Sequence, residues 1–312
     1  MFNRFVRLII TLYIVATVVF FILKLSPGSP ISQYISPTFN QEQVARLKQQ
    51  FGLDQPLHIQ YFKYIKSISQ LEFGKSLSYK ESVLSLIGER IPNTLLLLMP
   101  TLLVSYIVGI FWGMIAGWKR GSKIEHFSII VALAGRAAPT FWVGMAAIAI
   151  FSFQFGWLPS SGMVSPLADF PSFWAMLISL DFWSHLAMPL VVFSFYLVGL
   201  PFLIMRTGML ESKTKDFTTM HHYSGLRERT IMFRAARNSL LPVVTVIALG
   251  IGYIFEGAPV IETVFSWPGI GQLLVQAVMS QDYPLAQACF LIIATSVLFM
   301  NFVADILYGI LD

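Results

Sequence analysis

Residues 206–238 read RTGMLESKTKDFTTMHHYSGLRERTIMFRAARN, a polar and basic stretch set between long apolar runs. In a chain this hydrophobic, such a stretch predicts a cytoplasmic loop large enough for another protein to grip. The runs flanking it, at about 185–205 and 240–259, are each long enough to cross roughly 30 Å of hydrocarbon as a helix. Working outward, four more such runs lie at about 8–25, 94–117, 127–153 and 285–309. The expected fold class is all-α transmembrane, a six-helix bundle.

Composition points the same way. Of 312 residues, 56% are hydrophobic and 12% charged, and the mean hydropathy is +0.70. A water-soluble core cannot hide that much apolar surface. Three segments follow: residues 1–25 as an N-terminus and first transmembrane helix, 26–93 as an extracytoplasmic loop region, and 94–312 as a five-helix core that includes the loop 206–238. Arg4 and Arg7 precede the first run as in a signal peptide. The run ends in Leu25-Ser26-Pro27-Gly28-Ser29-Pro30 without a small-x-small cleavage site, so it reads as a retained helix. Cys289 is the single cysteine, which excludes a disulfide framework and a Cys-rich metal site.

Charge orients the bundle, because short cytoplasmic loops are rich in Lys and Arg. Arg4, Arg7, the turn Lys119, Arg120, Lys123 and the stretch from Arg206 to Arg237 fall on one side, with the C-terminus. The short loops 154–184 and 260–284 carry no Lys or Arg. Both termini are therefore expected in the cytoplasm. The third outer loop, 26–93, is long enough to escape the rule. Within it Asn40 and Gln43 suggest a helix cap, Val44, Leu47 and Phe51 share a helical face, and Gly52 sits where that helix should stop. A second amphipathic piece follows Pro56 through Tyr61, Ile65 and Ile68, and Gly74 breaks it. Such a region suits either a lid resting on the bundle or a docking surface for a soluble partner.

The chemistry that would make an enzyme is missing. No phosphate-binding Gly-x-x-x-x-Gly-Lys-Ser/Thr loop occurs, and Gly117-Trp118-Lys119-Arg120-Gly121-Ser122-Lys123 has the wrong spacing. His58, His126, His185, His221 and His222 lack the Cys or carboxylate spacing of a metal site, and His221 and His222 point to different faces of any helix. No nucleophile elbow is present. Two ionisable residues lie within the apolar runs, Arg136 and Glu256. They read either as a structural ion pair or snorkelling groups, or as translocation-path groups meeting a charged part of a solute. His185 and Asp305 sit at membrane edges and read as helix-end groups. Gly109, Gly113 and Gly117, at four-residue spacing, mark close helix packing within the bundle or with a partner subunit.

From Asp216 to Asn238 the pattern predicts two short helices broken at Gly225. Phe217, Met220 and Tyr223 offer an apolar stripe before the break, and Ile231, Met232 and Ala235 another after it. A short helix with exposed apolar residues suits a groove on another protein; the alternative is a basic interfacial helix attracted to anionic headgroups. Pro242 is expected to start the fifth span.

These residues carry a family resemblance. Gly225-Leu226 followed by Arg237-Asn238-Ser239-Leu240-Leu241-Pro242 resembles the cytoplasmic motif of ATP-binding-cassette (ABC) importer permeases of the dipeptide/oligopeptide/nickel type. So do Ser26-Pro27-Gly28-Ser29-Pro30, Phe51-Gly52-Leu53-Asp54-Gln55-Pro56, Phe73-Gly74-Lys75-Ser76 and Gly156-Trp157-Leu158-Pro159 with Gly162. The most specific run is Glu262-Thr263-Val264-Phe265-Ser266-Trp267-Pro268-Gly269-Ile270-Gly271, followed by Asp282-Tyr283-Pro284. The resemblance covers nearly the whole chain and is to the first of two paired permeases, with the type I bundle.

It implies a second homologous permease, two cytoplasmic ATPases that use ATP and Mg, and an extracytoplasmic solute-binding protein, in a prokaryotic inner membrane and with no nucleic-acid partner. The solute would be peptide-like, and this chain would bind no cofactor. Asp216, Phe217, Met220, Tyr223, Gly225 and Leu226 would form the ATPase-docking loop. The chain departs from the family at His221-His222-Tyr223-Ser224, where Ala-Arg-Ala-Lys is usual, and in a stretch from Gly225 to Asn238 one residue short. Ser29 replaces a common Asp, Glu256 a small residue and Arg136 a neutral one, and Asp312 falls where a Pro-Arg tail commonly follows. Two other classes remain open: an ion-gradient-driven secondary transporter, which would need embedded ion ligands or an inverted repeat, and a non-transporting scaffold.

Overall fold

The structure, a computed structural model, describes residues 2–25, 42, 43, 46, 49 and 54–311. The Ser26–Pro30 motif, the cap at Asn40, the face of Val44, Leu47 and Phe51, and Gly52 lie outside the described residues, as do the side chains of Glu256 and Asp305. The elements are α1 (Phe2–Leu25), α2 (Leu57–Ser69), α3 (Val83–Trp118), α4 (Lys123–Ala137), α5 (Thr140–Ala147) with a π-helical continuation (Ile148–Gln154), α6 (Phe173–Ile178), α7 (Leu180–Leu197), α8 (Gly199–Lys213), α9 (Asp216–Tyr223), α10 (Glu228–Val264), α11 (Ile270–Met279) and α12 (Tyr283–Leu311). Among the described residues, Val6–Leu25, α3, α7 and Tyr283–Val303 are each long and apolar enough to cross a membrane, and α4 with α5 and its continuation forms a bent pair that passes the same test together.

The helices outrun the apolar stretches that predict them. Helix α3 begins at Val83, well before the apolar run at 94, and α10 is 37 residues long, about 56 Å at 1.5 Å per residue. Pro242 therefore lies inside α10 rather than at the start of a span. One lost N–H bond is tolerated where neighbouring helices hold both sides of it. The stretch after Gly225 is accordingly not a separate short helix but the first turns of α10.

The expected third span is broken. Helices α4 and α5 meet at 100°. Ala138 ends α4 in an extended conformation (φ −70°, ψ 129°) and Pro139 precedes α5 at φ −60°, ψ 124°. A residue before proline is pushed out of the helical region, which turns the chain here.

Between helices in lipid the hydrophobic effect gives no net attraction, so close approach and hydrogen bonding must hold the bundle. The glycine stripe supplies the first. A Cβ on Gly109 would lie 2.7 Å from Pro201 Cγ, on Gly113 2.5 Å from the Phe202 carbonyl, and on Gly117 2.7 Å from the Arg206 carbonyl. The stripe thus packs α3 against α8 of the same chain. A core of Leu97, Phe182, Phe193, Ile261, Phe265 and Trp267 fills the space among α3, α7 and α10.

At the end opposite the basic segments, buried carboxylates tie the loops down. Glu262 accepts from Thr94 Oγ1 (2.7 Å) and from the first N–H groups of α11, Gly271 (2.7 Å) and Gln272 (3.0 Å). Asp282 accepts from Ser76 Oγ, from the Ser78 N–H (3.0 Å) and from the Leu285 N–H of α12 (3.2 Å). Asp181 holds the loop before α6 through Ser165, and the His185 ring bonds the Asp181 carbonyl. Helix α2 lies against α1: Tyr61 bonds Thr17 (2.8 Å) and Tyr13 (3.0 Å), Lys24 bonds Gln60, and Phe20 packs on Tyr64. It ends at Ser69, before Gly74, because Leu71 takes a left-handed φ of 58°.

Candidate functional site

Of the stretch 206–238, the residues outside α8 and α10 are 214–227, with α9 in their middle. Asp216 starts α9, whose preceding Lys215 makes no side-chain cap. The helix ends in a Schellman arrangement. The Gly225 N–H donates to the His222 carbonyl (3.0 Å) and the Leu226 N–H to the His221 carbonyl (3.3 Å), with Gly225 at φ +70°. A left-handed residue is required there, and glycine adopts it without steric cost. The predicted break at Gly225 is where the structure has it.

One side of α9 is anchored. Thr218 is buried and donates to the Ser212 carbonyl (2.6 Å) at the end of α8. The Ser212 hydroxyl meets the Ser239 hydroxyl (2.8 Å), and Ser239 donates to the Ala235 carbonyl of α10. Close approach of α8 and α10 is possible because Gly208 faces Ser239, where a Cβ would stand 3.0 Å from the serine's own. His221 lies 3.4 Å from Arg234 and stacks edge-on with Phe217, while His222 sits 3.6 Å from Glu228. The two histidines thus do face apart.

Among the described residues nothing covers the other side. Met220 is 67% exposed and Tyr223 88% exposed. Asp216 and Gly225 are exposed too, and Phe217 and Leu226 are half-buried. Two large apolar side chains on one rigidly held turn form a knob suited to a groove.

The neighbouring turn between α3 and α4 is locked to the same platform, through contacts that sequence reasoning did not pick out. Glu125 is buried; its carboxylate accepts from the Gly121 N–H and pairs with the Arg206 guanidinium, whose Nε lies at 2.9 Å. Ser122 caps α4 by accepting from the Glu125 N–H. Lys213 donates to the Trp118 carbonyl (2.8 Å) and lies over its ring. The spacing Ser122-x-x-Glu125 is a capping-box signature and could have marked Glu125; its partner, 81 residues away, has no local signal.

Arg136 is in the last turn of α4, beside the break, and faces a cavity of about 630 Å3 that α5, α7, α8 and α10 also line. The side chain of Glu256, the other residue expected within the apolar runs, lies outside the described residues. The docking residues and Arg136 are therefore two separate places, one at the basic end and one where an exposed Arg136 lines this open cavity.

Comparison with known proteins places this arrangement. Residues 109–312 match the family of binding-protein-dependent transport system inner membrane components, and residues 1–98 match the N-terminal region of such components. Among similar proteins are the di/tripeptide transport system permease protein of Pseudomonas aeruginosa, 36% identical over 325 residues covering 99% of this chain and 96% of that one, and the oligopeptide transport system permease protein of Bacillus subtilis, 32% identical with 94% and 91% covered. The glutathione transport system permease protein of Escherichia coli is 30% identical, with 99% and 96% covered. The chain belongs to the family of binding-protein-dependent transport system inner membrane components, as a non-enzymatic permease subunit of an ABC importer.

Proposed function

We propose that this permease carries peptide-like solutes inward, that its basic end faces the cytoplasm with both termini, and that α9 is the element a partner ATPase grips. The solute class rests on the relatives, which are permeases for di/tripeptides, oligopeptides and glutathione. The sidedness rests on the Lys and Arg gathered at the end where Glu125, Arg206 and Lys213 meet. The observation that carries the coupling role is the exposed Met220 and Tyr223 on a helix whose opposite face is anchored to both α8 and α10. A push on such a knob reaches α8 and α10 at once.

In this reading a second, homologous permease and two ATPases complete the membrane assembly, and an extracytoplasmic binding protein delivers the solute. ATP and Mg act in the ATPases; this chain holds neither. Binding of ATP closes the ATPase pair, and α9 transmits the movement. Reconstitution into vesicles with those partners tests it: labelled tri-alanine should accumulate only with ATP, and the double variant Met220→Ala, Tyr223→Ala should abolish accumulation. Uptake that persists without ATP and collapses with the proton gradient would instead identify a secondary transporter.

A further inference from the structure

The cavity of about 630 Å3 beside the α4–α5 break lies within the size range of ligand pockets, about 300–1,000 Å3. Arg136, Thr140, Tyr106, Tyr196 and Gly250 are among the residues that line it. Helix α4 starts at Lys123 on the basic end, so at 1.5 Å per residue its last turn lies about 20 Å along the axis from that end, within the reach of roughly 30 Å of hydrocarbon. Broken backbone at that depth persists only where it is packed in protein or lines a polar cavity.

Among the described residues the guanidinium of Arg136 has no partner. Arg136 forms no hydrogen bond or ion pair with any other described residue, whereas Arg206 and Lys213, nearer the basic end, are both engaged. Its stem is placed by Gly199, where a Cβ would lie 2.8 Å from Arg136 Cγ and 2.9 Å from Cδ. The start of α8 is therefore shaped around this side chain. No Asp or Glu is among the described residues lining the cavity. The N-terminus of α5, with Thr140 as its first residue, opens on the same space and adds the positive end of a helix dipole.

We propose that Arg136 binds the free carboxylate of the solute as it passes through the bundle, so that this permease selects small molecules carrying such a group. A guanidinium is fixed in charge and its planar fork matches a carboxylate, which makes it the fitting side chain for that task. The inference rests on the proposed import of peptide-like solutes and adds a chemical requirement within that class. Unmet charge inside a membrane protein is costly unless a ligand or water meets it. A passing carboxylate meets it transiently, as a transport site requires.

Saturation-transfer NMR on the detergent-purified permease–ATPase assembly, without binding protein, tests this with tri-alanine and tri-alanine amide as probes. Transfer to tri-alanine at least fivefold above transfer to the amide is expected, and that comparison requires no variant. Arg136→Gln should lower the tri-alanine signal to that of the amide, while Arg136→Lys keeps most of it; co-purification of the ATPases checks assembly. Equal signals for the two probes, or a tri-alanine signal untouched in Arg136→Gln, would overturn the proposal. So would restoration of the wild-type signal by Arg136→Glu combined with Glu256→Arg, which would show an internal ion pair. Failure of ATP-driven tri-alanine uptake with carboxylate binding intact would count against the peptide-like reading alone.

Discussion

At the scale of single residues, two carboxylates decide where the chain can turn. Glu125 is taken out of water and met by the Gly121 N–H and the Arg206 guanidinium, so its charge is matched only while both ends of that geometry hold. Removing one member of such a buried pair leaves the other unmet, which costs about 3–5 kcal/mol. Arg206→Ala should accordingly lower the thermal midpoint of the detergent-purified permease clearly, and Arg206→Ala with Glu125→Gln should recover part of the loss. Recovery of nothing would mean that Glu125 acts mainly through Gly121. Glu262 offers a comparable test at the opposite end. A Cβ on Gly269 would come within 2.2 Å of its Oε1, so Gly269→Ala should displace the carboxylate from Thr94 and from the N–H groups of Gly271 and Gln272. Leaving buried donors unmet costs about 1–3 kcal/mol each. The expected outcome is a loss of several °C in midpoint, read by the same melting assay. This accounts physically for the run Glu262 to Gly271, whose glycines give way to the carboxylate and to Pro259.

At the scale of elements, the glycines of α3 separate into those that touch and those that do not. Gly113 lies against the Phe202 carbonyl at a Cβ distance of 2.5 Å, and no rotamer relieves a clash with backbone. Gly88, in the same helix, has nothing within 4 Å. Gly113→Ala should force α3 and α8 apart and sharply reduce folded yield. Gly88→Ala should be neutral or stabilising by about 0.5–1 kcal/mol, since alanine loses less backbone freedom in a helix. Equal effects in a fluorescence-detected size-exclusion assay would remove the special role of the stripe. The same elements show what could be read in advance. Apolar runs mark where a helix meets lipid, and all six predicted runs lie largely in helices. They do not mark where a helix stops, because α8 and α10 continue into the basic segment on helix-compatible polar residues. Arg206 consequently read as loop, and the turns after Glu228 as a separate short helix. The break at Gly225 was legible because a positive φ demands a particular residue, while the 100° bend at Pro139 was hidden by continuous hydrophobicity.

At the scale of the whole molecule, the two ends have different tasks and therefore different chemistry. The end bearing Glu262 and Asp282 is cross-braced between residues far apart in the chain, such as Ser76 with Asp282 and Asn93 with Pro268. That bracing should move as one body. The basic end is braced too, through Glu125, Arg206, Ser212 and Ser239, but α9 leaves Met220 and Tyr223 outside the bracing. Nothing within the described part of the chain is stabilised by exposing them, and both stand on the side away from the Thr218 anchor. Met220→Asp should therefore leave the melting midpoint of the isolated permease within the roughly ±0.5 kcal/mol expected of a surface change, yet abolish co-purification of the partner ATPase. Thr218→Val should do the reverse in kind: it unties α9 from the Ser212 carbonyl, lowers stability, and lets the ATPase bind without driving uptake. Measuring ATPase capture and ATP-dependent tri-alanine uptake on both variants separates grip from transmission. Loss of capture in Thr218→Val with no change in Met220→Asp would place the grip somewhere other than on the exposed face of α9.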